Sequence, residues 1–62
     1  MFSVTFDLFG DEVWMGHFST YDMALFFIEK RAKFEYYENG LNDICFTVWY
    51  DGQLYQEVVY SI

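Results

Sequence analysis

The sequence predicts an α+β domain: a single ββαββ unit in which a four-stranded antiparallel sheet carries one helix on one face. Three observations lead there. The N-terminal segment alternates apolar and polar residues and is followed, after a glycine, by a second strand-like run. The stretch from Tyr21 to about Tyr37 has neither Gly nor Pro and places apolar residues at helical spacing. Asp51-Gly52 then separates two further apolar runs as a hairpin dipeptide.

The elements follow in order. Phe2, Val4, Phe6 and Leu8 alternate with Ser3, Thr5 and Asp7, the period of a half-buried strand. Gly10-Asp11 is read as a two-residue type II′ loop, with Gly taking the positive φ. Across it, Leu8 would face Val13, Phe6 would face Met15 and Val4 would face His17. Ser19-Thr20-Tyr21-Asp22 supplies a hydroxyl cap and a carboxylate for the positive end of a helix dipole. Tyr21, Ala24, Leu25, Ile28 and Ala32 form the apolar stripe, widened by Phe27 and Phe34, and Asn39-Gly40 ends the helix. Asp43 to Tyr50 and Gln53 to about Tyr60 form the second hairpin. A right-handed crossover of the helix over the first strand gives sheet order 2-1-3-4, with all 62 residues in one compact domain.

Composition excludes several function classes. Three basic residues against ten acidic ones, a formal charge of -7, leave no cluster of Lys and Arg to neutralise phosphates, so direct nucleic-acid binding is not expected. A 26% aromatic content is too rich for a disordered acidic tail. The lone Cys45 allows no internal disulfide, and no basic and apolar leader is present, so the cytoplasm is the expected compartment. The longest apolar run, Met23 to Ile28, is far short of the ~20 residues that span a bilayer. His17 has no partner in a nucleophile motif, and Cys45 reads as an inert core thiol. Neither an EF-hand loop nor a His/Cys pair at ligand spacing occurs, so no metal, no cofactor and no enzymatic activity are expected.

Two surfaces remain as candidates. In the expected topology the first turn, the helix C-terminus and the start of the third strand share one end of the sheet. That end collects Asp7, Asp11, Glu12, Glu35, Glu38 and Asp43, six of the ten carboxylates, while Lys30, Arg31 and Lys33 are confined to one helical turn. Such a pole suits a basic protein surface, particularly one built to hold nucleic acid; solubility alone is the simpler explanation. The second surface is aromatic. Pairing across Asp51-Gly52 places Ile44, Phe46, Val48, Tyr55 and Val59 on one face, and Cys45, Trp49, Leu54, Val58 and Tyr60 on the other. A single helix covers one face only, so Trp14, Trp49, Tyr50 and Tyr55 become candidate partner contacts. Met23 and Phe26 point away from the core stripe.

In size, acidity and aromatic content the whole chain resembles the small phage-encoded inhibitors of bacterial defence, the anti-CRISPR and anti-restriction proteins. The resemblance implies a non-catalytic inhibitor, at times a DNA mimic, that blocks a nucleic-acid-handling complex in the host cytoplasm. The alternatives are an accessory domain that self-associates as a homodimer through its aromatic face, or a binder of a small molecule or peptide at that face or at a free sheet edge.

Overall fold

A computed structural model describes residues Met1–Ile62 and has the expected architecture. Strands β1 (Phe2–Leu8) and β2 (Asp11–Phe18) precede helix α1 (Tyr21–Asn39), which is followed by β3 (Ile44–Tyr50) and β4 (Gln53–Tyr60). All neighbours pair antiparallel in the order β2-β1-β3-β4. The helix therefore carries the chain from one side of β1 to the other, and β3 runs parallel to β2 without touching it.

The helix begins where the sequence indicates. Thr20 is extended, and its hydroxyl accepts the Met23 amide at 3.2 Å. At the other end Gly40 (φ 70°) takes the left-handed conformation, and the amides of Gly40 and Leu41 donate to carbonyls of the last turn. The buried positions are Ala24, Ile28, Ala32 and Glu35. The two alanines let the helix axis approach a sheet whose inner surface carries Val4, Phe6, Ile44, Phe46 and Val48. Phe6 and Phe46 are directly opposite on neighbouring strands, with ring centroids 5.1 Å apart. Phe34, expected in the stripe, is instead exposed and stacks with Arg31 at 5.0 Å.

Both hairpins carry a bulge in the edge strand, and these set the facing of the edge-strand residues beyond them. The first loop is Phe9-Gly10, one residue earlier than expected, with Leu8 opposite Asp11. Both loop residues have positive φ, the type I′ pattern, and glycine fits its second position. Phe6 then faces Val13. Met15 is the extra residue of a bulge, so Val4 faces Gly16 and Phe2 faces Phe18. This exchange buries part of Phe18 against Phe27, at 5.1 Å, and turns His17 outward rather than toward Val4. In the second hairpin the Asp51-Gly52 loop stands as expected, but Tyr55 is the extra residue of another bulge. Beyond it the alternation inverts. Val58 and Tyr60 face the helix opposite Phe46 and Ile44, whereas Val59 faces away opposite Cys45, the reverse of the uninterrupted pairing.

Candidate functional site

The strand register assembles one continuous surface on the side of the sheet away from the helix. Its rows, read across β2, β1, β3 and β4, are His17–Ser3–Trp49–Leu54, Trp14–Thr5–Thr47–Glu57 and Glu12–Asp7–Cys45–Val59. The polar strip of β1 thus lies between indole-bearing neighbours. The Trp49 indole N–H donates to the Thr5 hydroxyl at 3.0 Å, and Ser3 Oγ lies 3.1 Å from His17 Nδ1. The His17 ring in turn meets Trp14 edge-on at 5.0 Å. Trp14, Leu54 and Val59 remain exposed on this face.

The acidic pole is continuous with it. Asp7 and Glu12 are cross-strand partners in the last row, and Asp11 opens β2 beside them. Asp43 lies in the loop leading to β3, where its carboxylate accepts a hydrogen bond from Ser61. Asp7, Phe9, Leu41 and Asp43 line a shallow depression of ≈ 270 Å³. Glu38, in the last turn of α1, is at the same end. Glu35 does not join this surface. Its carboxylate is buried, 4% exposed, and is held at 2.7 Å by Arg31 and at 2.7 Å by Asn39. The reason is periodic: Glu35 follows Ala24, Ile28 and Ala32 on the helical stripe, so spacing alone identifies it as inward-facing. The exposed pole consists of Asp7, Asp11, Glu12, Glu38 and Asp43.

No cation reaches these five carboxylates. Arg31 is paired with Glu35, Lys33 with Glu29 at 3.1 Å, and the N-terminal ammonium with Asp51 at 3.4 Å. Lys30 lies 5.1 Å above the Phe26 ring on the outer side of the helix. The Cys45 thiol has its pKa raised by burial, with further increments from the carboxylates of Glu57 and Asp7. It is a half-buried group on the open face rather than a core thiol, and at neutral pH it stays protonated.

The four aromatic candidates separate. Trp14 and Trp49 belong to the open face. Tyr50 and Tyr55 lie on the helix side, where they close the core with Phe2 and Tyr21 at the end opposite the acids. Sequence reasoning missed Phe9, 89% exposed at the rim of the pole, because an aromatic is not the residue expected in a type I′ loop. No group of three or more His, Cys, Asp or Glu side chains is placed to hold a metal ion. No helix is long and apolar enough to cross a membrane. No protein family, no curated protein and no solved structure matches this chain.

Proposed function

We propose that this domain is a small acidic binding protein without catalytic activity, which blocks a basic, nucleic-acid-handling partner. It presents carboxylates where that partner holds phosphates, acting as a DNA mimic in the manner of the anti-CRISPR and anti-restriction inhibitors it resembles in character, in the host cytoplasm. The observation that carries this reading is the Asp7–Glu12 pair. Like charges directly opposite in a sheet are destabilising, and here no intramolecular cation relieves them. The repulsion is relieved when a partner's Lys and Arg side chains arrive, and complementary potential also speeds the encounter.

The test is titration into a CRISPR–Cas effector or a restriction complex with labelled target DNA. The expected result is displacement of DNA by the domain, weakening as salt rises. The combined variant Asp11→Asn, Glu12→Gln, Glu38→Gln, Asp43→Asn should keep its fold and lose displacement. DNA binding unaltered by excess domain refutes the mimic reading.

A second reading, self-association, has its own support in Trp14, Leu54 and Val59, which stand exposed on a sheet face that no element covers. Sedimentation decides it: a monomer across micromolar concentrations removes the homodimer.

A further inference from the structure

We propose that the open sheet face recognises arginine side chains in particular, seating a guanidinium on Trp14 while Glu12 and Asp7 accept its hydrogen bonds. The inference rests on the binding reading above and specifies the partner's chemistry. Trp14 and Glu12 are two residues apart on β2 and precede the bulge at Met15, so both project from the same face, about 6.8 Å apart along the strand. Asp7 stands directly opposite Glu12, within about 5.5 Å between Cβ atoms. A planar cation lying on the indole therefore has two carboxylates within reach of its N–H fork.

The face is arranged for such a guest. Trp14 is 59% exposed and its ring is steadied by an edge-on contact with His17, which is itself held by Ser3. All three basic side chains of the protein are on the helix, across the sheet, so none competes for this surface. Charge complementarity thus selects a cationic occupant over a second copy of a chain with net charge -7. Arginine is favoured over lysine because its guanidinium stacks on an aromatic face and binds carboxylates through two N–H groups at once.

The experiment compares an eight-arginine peptide with a matched eight-lysine peptide by calorimetry and tryptophan fluorescence at low salt. The arginine peptide should bind about 10-fold tighter. Trp14→Leu should reduce that preference to about 2-fold or less, whereas Phe26→Leu, removing an exposed aromatic on the far side of the molecule, should leave it intact. Asp7→Asn with Glu12→Gln should weaken both peptides by about 10-fold. Equal affinity for the two peptides overturns the arginine assignment alone and leaves the acidic-pole reading standing. Failure of both peptides to bind overturns both readings. A preference that survives Trp14→Leu removes the guanidinium from the indole, and a homodimer that this substitution dissociates places a second copy on the face; either result refutes the inference.

Discussion

Phe9 offers the sharpest test of the structural reasoning. It occupies the first loop position of a type I′ turn at φ 51°, a left-handed conformation that bulky side chains rarely adopt. Such strain costs about 1–3 kcal/mol. Asn is far better tolerated there, and Asn-Gly is the preferred type I′ dipeptide. The side chain is 89% exposed, so little burial is lost on its removal. Full burial of a Phe is worth about 1.5–3 kcal/mol, and the tenth of it at stake here amounts to a few tenths. Phe9→Asn should therefore stabilise the domain by about 1 kcal/mol, a sizeable share of the ~3–9 kcal/mol expected for a chain this long. Thermal unfolding followed by circular dichroism should show a rise in Tm of about 4–8 °C, and urea titration a higher midpoint with unchanged slope. Asp51→Asn in the matching loop, already occupied by a residue suited to φ 51°, should move Tm far less. An unchanged or lower Tm for Phe9→Asn would refute the strain argument.

Glu35→Ala strands the half-buried Arg31 guanidinium, whose Nε already has no partner, and should cost about 1.5–3 kcal/mol by urea unfolding. Glu35→Gln, which keeps an acceptor, should cost less. Thr5→Val removes the acceptor of the Trp49 indole and should lower stability by about 0.5–1.5 kcal/mol, with a change in tryptophan emission as a second readout. Because burial and then the Glu57 and Asp7 charges raise the Cys45 pKa, its thiolate fraction at pH 8 is below that of a free cysteine. A disulfide reagent should modify it more slowly than a free thiol at that pH. Glu57→Gln with Asp7→Asn should lower the pKa and speed the reaction, and a rate unaffected by both substitutions would contradict the contribution of the two carboxylates, leaving burial as the sole cause.

Element identity was legible because each element is specified locally. The alternation of Phe2 to Leu8, the Thr20 cap, the Gly40 terminator and the Asp51-Gly52 turn act within a few residues of themselves, and topology follows from how a short crossover twists. The end of the sheet at which acids gather was legible for the same reason, since strand polarity alone sends the first hairpin turn, the helix C-terminus and the start of β3 there. Even the burial of Glu35 was written in the 24, 28, 32, 35 spacing.

Side-chain facing was another matter. A strand's alternation specifies its faces only while the count of residues is uninterrupted, and one extra residue inverts everything beyond it. The bulges at Met15 and Tyr55 form because the sheet, once assembled on the helix, buries more by turning Phe18, Val58 and Tyr60 inward than by continuing the regular register. That balance depends on long-range packing, which no local pattern encodes. Composition and strand order determined an acidic pole and an aromatic surplus as separate features. Tertiary packing decided that they meet: the observed register sets Asp7 directly opposite Glu12, beside Trp14 on one uncovered face.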